Sequence, residues 1–477
     1  SGATSLANLE SFSNAAAGVV NLASGATLTG SGATSFTNAG RFNAEAGPVT
    51  IVTPTFTNAA TGIIDMQDGA NGDVTTITGA YVGTAGSQLL IDANADLTAA
   101  DRLVVSGNIS GNTTVGVNYL GTASTFNPTG VVIVDGGGTT AAGSFTLNPA
   151  SVNNGLLTYS LTQNGADVSL VSNFNVGVTG LAPLARMGTD MWYQSFDAYH
   201  DGIAGRHGYA NREGNPIGFW ANLYLSRDKW GEDNATSTLF GTPLTYSSKM
   251  ENHRRGAQGG IDIGFGGFTV GVTGGYAHNK AENGANALYD IEGYNYGAYA
   301  IFGSEFGLYG AAMYKHDDYD VRYIDNGRAF GLDFTDASSD GFDGELGFRA
   351  GGENLKFDLN AGASWVKTDI APATLYGATF SYDDAESLRG RLGARVIMPK
   401  LMGAFIGAKV FHEFKGDNEA LRITSGALTD TLMAEPRGTT YRLEAGLGGD
   451  SKGGPVFTIW GDFGDTKGIG RRLGFRF

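Results

Sequence analysis

This 477-residue chain lacks several residue types on which common functions depend. Cysteine is absent, which excludes thiolate metal sites and cysteine nucleophiles and fits an extracytoplasmic bacterial setting in which a thiol is a liability. Lysine and arginine number 31 against 47 acidic residues, without a basic stripe, so nucleic acid is not expected as a partner. No apolar run approaches the roughly 18 residues of a transmembrane helix. The chain begins SGATS, without methionine or a signal peptide, and is expected to be a piece of a longer protein.

Glycine is abundant instead. Its 75 residues show no G-X-Y period, which excludes collagen, while hydrophobic residues at 42% exclude wholesale disorder. Charged residues make up only 16%. Together with short apolar runs separated by glycine and asparagine, this composition predicts an all-β protein that is long enough for two or more domains.

The N-terminal part, residues 1–178, has its own composition and a repeat. It contains no lysine, histidine or tryptophan, and two arginines against ten acidic residues. A Phe–Ser/Thr–Asn–Ala start recurs at Phe12, Phe36 and Phe56, 24 and then 20 residues apart. Such periods are typical of stacked units that bury a core only between neighbours. The repeat predicts a right-handed β-helix; the alternative is a low-complexity linker rich in Thr, Ala and Gly.

Two segments follow the repeats. Strand-like stretches between 100 and 171 are expected to cap the open end of the solenoid. In the linker 179–210, apolar residues including Leu184 and Tyr199 recur at helical spacing and predict a helix over about 183–204. At about 1.5 Å per residue this helix would span a bilayer, yet it is too polar to face lipid.

Residues 211–477 contain a series of alternating segments of about ten residues, each rich in glycine and aromatic residues. Twelve strands are predicted, an even number within the range of outer-membrane barrels. Their predicted bounds are 218–229, 254–265, 268–279, 294–305, 307–323, 340–351, 355–368, 387–398, 400–414, 439–449, 455–463 and 469–477.

Two features of this region favour an antiparallel membrane barrel over a soluble sandwich, which would bury the apolar faces and expose the charged ones. First, a face with charges of both signs recurs strand after strand, as a polar lumen requires. The charged residues expected in the lumen are Asp343, Glu345, Arg349, Arg389, Arg391, Arg395, Lys409, Glu413, Arg442 and Glu444. Second, tight turns alternate with long connections, as periplasmic turns and extracellular loops do. The long connections are 230–253, 280–293, 324–339, 369–386 and 415–438.

The expected topology also constrains the N-terminal half. With an even number of strands and short periplasmic turns, both ends of the barrel lie in the periplasm. The preceding half is then either periplasmic or has been threaded through the lumen. A polar helix of membrane-spanning length directly before the first strand is what threading would leave behind, held in the lumen as a plug.

These segments resemble the autotransporters, the type V self-secreting proteins of Gram-negative bacteria. The resemblance to their translocator covers about 211–477 and rests on FWANLYLSRDKW, LRGRLGARV, GAFIGAKVFHEFKGDN and the terminal LGFRF. Residues 70–175 resemble the pertactin-type passenger junction, or autochaperone, through DRLVVSGNISGNTTVGVN. The resemblance implies a barrel that anchors the protein in the outer membrane, takes part in exporting its own β-helical passenger to the cell surface and holds the helix in its lumen.

The resemblance also implies partners. Outer-membrane lipid would surround the barrel, and periplasmic chaperones and the barrel-assembly machinery would insert it, the latter by reading the terminal strand. The residues that fit this assembly signal are Gly470, Leu473, Phe475 and Phe477, while Gly468 stands where a polar residue is usual. The passenger is expected to serve adhesion or to contact a host or surface ligand, and the protein is expected to be monomeric.

No enzymatic site, cofactor or metal is expected. All six histidines lie outside 1–178, so a Ser–His–acid triad cannot form within that part. GDS at 449–451 is interpreted as a barrel turn, and DGANGD at 68–73 is a single copy, whereas calcium-binding solenoids need tandem copies. His412 and Glu413 are neighbours on one strand and point to opposite faces, so they are not expected to share a metal ion.

Processing and function leave alternatives open. Some autotransporters cut their passenger at an Asn–Asn pair in the lumenal helix; this helix has none, and Asn153–Asn154 lies upstream, where a structural turn is expected. Self-cleavage by that route is therefore not expected.

The main hypothesis is secretion and surface display, and the alternative is a polar-lumen outer-membrane channel with an accessory N-terminal domain. An enzymatic passenger would need residues upstream of Ser1.

Overall fold

The computed structural model describes most of the chain, which divides into two compact units. Residues 1–175 build the first unit, and the bulk of residues 176–477 builds the second. Among the described residues, no helix combines the length and the hydropathy needed to cross a bilayer. The described residues are 4–5, 11–30, 35–44, 47–122, 125–204, 216–284, 286–383, 385–415, 420–425, 428–434, 437–449 and 453–476.

The first unit consists of strands joined by tight turns. The strands of its described part are β1 (Thr4–Ser5), β2 (Ser11–Asn14), β3 (Val19–Asn21), β4 (Thr27–Thr29), β5 (Ser35–Asn38), β6 (Arg41–Asn43), β7 (Val49–Val52), β8 (Thr55–Asn58), β9 (Ile63–Asp65), β10 (Val74–Ile77), β11 (Ala80–Asn94), β12 (Arg102–Val105), β13 (Ile109–Leu120), β14 (Val131–Gly136), β15 (Phe145–Leu147), β16 (Asn153–Asn154), β17 (Leu157–Asn164) and β18 (Asp167–Phe174). A 3₁₀ turn at Pro149–Ser151 precedes β16.

These strands stack in parallel rows. One row runs β1-β4-β7-β10-β12-β14, a second runs β2-β5-β8-β11, and a third runs β3-β6-β9-β11, so the long strand β11 belongs to two rows. The repeat found in the sequence sets the register, because Phe12 pairs with Phe36 and Phe36 with Phe56. The predicted β-helix is confirmed.

Side chains of one type stack at equivalent positions of successive turns. The Phe36 and Phe56 rings are fully buried. Beside them, Asn14 Nδ2 donates to Asn38 Oδ1 at 2.8 Å, and Asn38 Nδ2 donates to Asn58 Oδ1 at 3.0 Å. A buried amide must satisfy both its donor and its acceptor, and identical amides one turn apart do so for each other. The Phe–x–Asn repeat is therefore a structural device of the solenoid.

An antiparallel segment ends the solenoid. Strand β14 pairs in parallel with β12 on one side and antiparallel with β18 on the other, and β17 continues the sheet as a hairpin with β18. The Tyr159 ring stacks 4.0 Å from that of Tyr119, and its hydroxyl donates to Ala95 O at 2.7 Å. These strands occupy the place that the sequence predicted for a cap.

The second unit opens with a 3₁₀ segment, Val176–Leu181, and the helix α1, Leu184–Ile203. The unit begins at Val176, close to the predicted boundary after residue 178. The helix lies within the predicted range of about 183–204 and is shorter than it by one residue at each end.

Twelve antiparallel strands of the second unit close into a barrel, as predicted, in the order β19-β22-β23-β24-β25-β26-β27-β30-β31-β34-β35-β36. The first and last of these strands pair from Trp220–Arg476 to Lys229–Lys467 and close the ring. The strands of the unit are β19 (Ile217–Trp230), β20 (Ala235–Leu239), β21 (Thr242–Tyr246), β22 (Met250–Phe265), β23 (Phe268–Asn283), β24 (Leu288–Gly303), β25 (Gly307–Asp325), β26 (Phe330–Gly351), β27 (Lys356–Ile370), β28 (Ala373–Leu375), β29 (Ala378–Asp383), β30 (Ala385–Met398), β31 (Ala404–Glu413), β32 (Ala420–Ser425), β33 (Leu428–Met433), β34 (Thr439–Leu447), β35 (Gly454–Gly464) and β36 (Lys467–Arg476).

The long connections carry more strand than the sequence predicted. Strands β23 and β24 fill much of 280–293, and β26 begins at Phe330, inside the predicted loop 324–339. The connection 230–253 contains the hairpin β20–β21, and β28, β29, β32 and β33 form a separate four-stranded sheet. The prediction of plain loops was wrong here. Hydrogen bonding of an antiparallel hairpin continues past the predicted strand ends, and apolar residues such as Phe330, Leu421 and Leu432 of these segments are buried on one face.

The barrel is apolar outside and charged inside. Leu223, Leu346 and Leu392, on three different strands, are each about three-fifths exposed, at 61%, 59% and 60%. The charged neighbours Glu345 and Arg391 are buried. A soluble sandwich would show the opposite pattern, so the exposed apolar band is the face of a membrane barrel.

Candidate functional site in the barrel lumen

The helix α1 is buried along nearly its whole length by the second unit. Its 20 residues rise about 30 Å at 1.5 Å per residue, similar to the thickness of a bilayer core. Polar residues such as Arg186, Thr189 and Asp201 are buried together with the apolar ones. A buried charge needs a partner, so the contacts of these side chains show how the barrel wall holds the helix.

One face of α1 is aromatic. Trp192 and Phe196 stack with their ring centres 5.4 Å apart, and both lie in a buried cluster with Trp220, Tyr299 and further wall residues of β24, β25 and β27. The Trp192 indole also donates to the backbone oxygen of Lys315 at 3.1 Å. This face holds the helix by apolar burial, with the indole nitrogen satisfied.

The opposite face of α1 is acidic. Asp190, Asp197 and Asp201 are seven and four residues apart, so they share one side of the helix. Each meets an arginine of the barrel wall. Asp190 Oδ2 lies 3.2 Å from Arg254 Nη2, Asp197 Oδ2 lies 2.6 Å from Arg442 Nη1, and the Asp201 carboxylate pairs with Arg472. The three pairs join α1 to β22, β34 and β36.

Two further arginines cap the C-terminal end of α1. Arg349 Nη2 donates to Ala204 O at 3.2 Å, and Arg476 Nε donates to Gly202 O at 3.2 Å. Helix carbonyls at this end have no partner within the helix, and positive charge there opposes the helix dipole favourably. The barrel wall therefore supplies the cap that the helix itself lacks.

The ten charged residues predicted for the lumen all lie on inward-facing positions and contact each other, further wall residues or α1. Their contacts are Arg391 with Asp343 at 2.9 Å and Glu345 at 3.0 Å, Arg349 with Asp358 at 3.0 Å, Arg395 and Lys409 with Glu444 at 2.6 and 3.3 Å, Arg442 with Asp462 at 2.7 Å, Glu413 with the Ser387 hydroxyl at 2.7 Å, and Arg389 over the Tyr193 ring at 3.4 Å. Glu345 also meets His200 of α1 at 2.8 Å. The arrangement is a network of charge pairs.

Sequence reasoning missed several residues that contact α1. Arg254, Arg472 and Arg476 were not among the charged residues predicted for the lumen. Alternation alone would have placed all three on the inner face. Arg472 and Arg476 alternate with the exposed Leu473 and Phe475 on β36, and Arg254 is out of phase with the exposed Ile261 and Ile263 on β22. Arg437, whose Nη2 donates to Arg186 O at 3.0 Å, lies before β34 and had no alternation signal.

Little free space is left beside the helix. A polar cavity of about 90 Å³ lies between the acidic face of α1 and the wall, lined by Asp190, Asp197, Arg389 and Arg442 among others. This volume holds a few water molecules. Among the described residues, no group of three His, Asp or Glu side chains is placed to hold a metal ion.

The remaining motifs fall at structural positions. Leu473 and Phe475 of the predicted assembly signal are exposed on the outer face, whereas Gly470 faces the inner side against Trp460. Phe477 lies outside the described residues, as do the last two residues of GDS at 449–451. His412 contacts Thr439 on the outer side while Glu413 is inside. Asn153–Asn154 pair with Leu157 and Thr158 in a tight turn.

Comparisons with known proteins agree with this architecture. A family model described as the autotransporter β-domain matches residues 219–464, more than half of the chain, and a pertactin model matches residues 58–171. The chain belongs to the autotransporter family. Its barrel is therefore an outer-membrane barrel, and its N-terminal unit is a passenger segment at the cell surface, as the sequence predicted.

Individual relatives of this autotransporter cover parts of it. The probable autotransporter YfaL of Escherichia coli is 35% identical over 138 residues, which is 28% of this chain and 10% of YfaL. The uncharacterized protein YuaQ of the same organism is 23% identical over 401 residues, which is 78% of this chain and 27% of YuaQ. The chain thus spans about a tenth and about a quarter of the length of these two relatives.

Solved structures provide a comparison of fold alone. The translocator domain of the autotransporter NalP from Neisseria meningitidis is 12% identical, with a TM-score of 0.43, and the match covers 63% of this chain and 99% of that domain. The transport unit of the autotransporter AIDA-I from Escherichia coli is 15% identical, with a TM-score of 0.43, over 59% of this chain and 96% of that unit.

Proposed function

We propose that the barrel takes part in exporting its own passenger and afterwards keeps α1 in the lumen as both tether and seal. The observation that carries this proposal is the pairing of the helix aspartates with Arg254, Arg442 and Arg472. A helix whose three aspartates are each ion-paired and at most 19% exposed is not a lipid-facing element, and its charges are matched residue by residue to the wall that surrounds it. The order passenger, helix, barrel along the chain is what export through the lumen would leave.

The second candidate function, a polar-lumen channel with an accessory N-terminal domain, has less support. The lumen is polar, as a channel requires, but α1 fills it and leaves a cavity of about 90 Å³. A conducting role would need the helix to leave, which would separate the aspartates from their arginines.

For the passenger we propose binding, in the form of adhesion or contact with a host or surface ligand, and no catalysis. Residues 1–178 contain no histidine, so a Ser–His–acid triad cannot form among them.

For biogenesis we propose delivery by periplasmic chaperones, recognition of the terminal strand by the barrel-assembly machinery, and a monomeric product. The outward Leu473 and Phe475 of β36 support that recognition, because an aromatic strand edge is a template for β-pairing.

Export is tested on intact cells with an epitope tag placed near Ser1. External protease is expected to remove the tag while the barrel remains protected. In matched cells, a tag inserted in the periplasmic turn between Phe265 and Phe268 is expected to be cut only after the outer membrane is broken. Protection of the Ser1 tag until the membrane is broken would contradict export.

A further inference from the structure

A patch of cations lies on the outer face of three neighbouring barrel strands. We call it the basic rim patch, and its residues are Lys467 and Arg471 of β36, Arg227 and Lys229 of β19, and Arg255 of β22. All five side chains belong to exposed residues. Along the described outward-facing positions of these three strands, one carboxylate occurs, that of Glu251, which pairs with Arg227 and with Lys229 at 2.5 Å. The patch is therefore strongly positive.

The strand register opposes like charges within this patch. Lys229 and Lys467 are direct cross-strand partners where β36 closes the barrel onto β19. Arg471 and Arg255 flank Leu225 from its two sides in the next row. Like charges directly opposite each other destabilise a sheet. Within the described part of the chain, neither Lys467 nor Arg471 forms an ion pair with a carboxylate that would offset this repulsion. An anion held between the strands would remove it.

The patch lies at the height of the outer lipid headgroups. Ten residues separate Ile217, at the periplasmic end of β19, from Arg227. At about 3.4 Å per residue and a tilt of about 40°, this distance is about 25 Å along the barrel axis, the height of the apolar band of such barrels. Directly below the patch, Leu223, Leu225 and Leu473 are exposed. Cations above and an apolar wall below match an amphiphile with a charged head.

We propose that the basic rim patch binds the phosphate groups of an anionic phosphorylated lipid of the outer leaflet, with its acyl chains against the leucines below. Arginine and lysine bind phosphate oxygens by charge-assisted hydrogen bonds, and a phosphate between Lys229 and Lys467 would convert their repulsion into a shared contact. The apolar wall assigns the phosphate to a lipid rather than to a free ion.

The neighbouring sector shows that this charge is local. At the corresponding level of β24 and β25, the outward-facing residues include the acids Asp290, Glu292, Asp318 and Asp320. An anionic lipid would be attracted to one side of the barrel and repelled from the other. The occupant is therefore expected at β36, β19 and β22 and not around the whole rim.

The test measures binding of lipid A, carrying two phosphates, to the purified full chain in a neutral detergent by native mass spectrometry. The double variant Lys229→Gln with Lys467→Gln is expected to bind about tenfold or more weakly. The matched control, Arg322→Gln with Lys367→Gln, neutralises two cations of other strands that are 40% and 36% exposed, and is expected to bind as the unchanged chain does. Equal binding by the double variant would overturn the proposal.

Two further arms identify the ligand. Lipid A without its phosphates is expected to bind at least about tenfold more weakly, and inorganic phosphate at equal concentration is expected not to displace lipid A. Equal binding of the dephosphorylated lipid, or displacement by inorganic phosphate, would each overturn the assignment to a phosphorylated lipid.

The single variant Lys467→Gln provides a second readout that does not depend on a weakened fold. In neutral detergent its melting temperature is expected to equal or exceed that of the unchanged chain, because the opposed lysines no longer repel. Lipid A is expected to raise the melting temperature of the unchanged chain and to have a smaller effect on the variant. Equal shifts in both proteins would contradict a phosphate between the two lysines.

Discussion

Asp201 is the residue at which the charges of helix and wall meet most closely. Its carboxylate pairs with Arg472 and lies 3.4 Å from Arg395, and the side chains of Asp201 and Arg472 are 6% and 5% exposed. Arg395 keeps a second partner in Glu444 at 2.6 Å. If Asp201 lost its charge, Arg472 would therefore be the arginine left without a counter-charge.

Asp201→Asn is expected to destabilise the barrel by about 3–5 kcal/mol, because it leaves a buried arginine without its counter-charge. The measurement is the midpoint of denaturant unfolding of the full chain in detergent. The control Asp318→Asn alters a carboxylate that is 66% exposed, and is expected to change stability by no more than about 0.5 kcal/mol. Equal midpoints for both variants would contradict the role of Asp201.

Asp101 of the solenoid predicts a pH dependence. Three backbone N–H groups, of Gly72, Asp73 and Asp92, donate to its carboxyl group, and burial, with Asp73 and Asp92 nearby, raises its pKa to about 7. The unfolded value is about 3.9. Between these two pH values the folded state binds more protons than the unfolded state, so the contribution of Asp101 to stability falls as pH rises from about 4 to 7 and is constant above.

This dependence is measured by hydrogen exchange of β11 amides in the full chain, corrected for the intrinsic rate at each pH. Protection is expected to fall from pH 4.5 to 7, and Asp101→Asn is expected to remove that slope. Asp135→Asn, at a carboxylate that is 46% exposed, is expected to leave the slope unchanged. If the slope persists in Asp101→Asn, the pH dependence comes from other titrating groups.

The sequence predicted which face of the barrel a residue lies on wherever apolar and charged residues alternate along a strand. The two-residue period placed residues such as Glu345 and Arg391 on the inner face, because every second side chain of a barrel strand points inward. Their partners were not predictable. The pairing of Arg472 with Asp201 joins residues 271 positions apart, and it depends on the closure of the barrel and on the rotation of α1 within it.

At the scale of elements, the asparagine ladder predicts a measurable loss. Asn38 bonds to Asn14 on one side and to Asn58 on the other, and donates to Ile63 O at 3.1 Å. Asn38→Ala removes these bonds and leaves buried amide groups of its neighbours unsatisfied, which is expected to cost about 2–4 kcal/mol. The measurement is hydrogen exchange of β5 and β8 amides.

The matched control is Asn43→Ala, which removes an exposed asparagine pair with Asn21 one row away. Water replaces these bonds, so the expected loss is below about 1 kcal/mol. If the two variants lower protection equally, the stabilisation by an asparagine pair does not depend on its burial.

The elements themselves were largely predictable from the sequence. The Phe–x–Asn repeat predicted the solenoid because each turn places the same side chains on the same row, and helical spacing predicted α1. The strands in the long connections were not predicted, because they are short. In β21, for example, Leu244 is the one buried apolar residue, which is too few to show a two-residue period.

At the scale of the whole molecule, the barrel holds its helix on two sides. The aromatic face of α1 is buried against β19, β24, β25 and β27, and its acidic face is paired with β22, β34 and β36. Opposite faces of the helix are therefore bound to opposite walls of the barrel. The even strand number and the alternation of loop lengths made the barrel itself predictable, whereas the fit of this plug required the structure.

Whether α1 seals the lumen is tested by ion conductance across a planar bilayer. The full chain is compared with a variant that begins after Ala204 and so lacks α1. The full chain is expected to stay nearly closed. The variant is expected to open a steady pore with a preference for anions, since Arg254, Arg442 and Arg472 lose their aspartate partners on α1. Equal conductance of the two proteins would show that the helix does not seal the lumen, and would contradict the account.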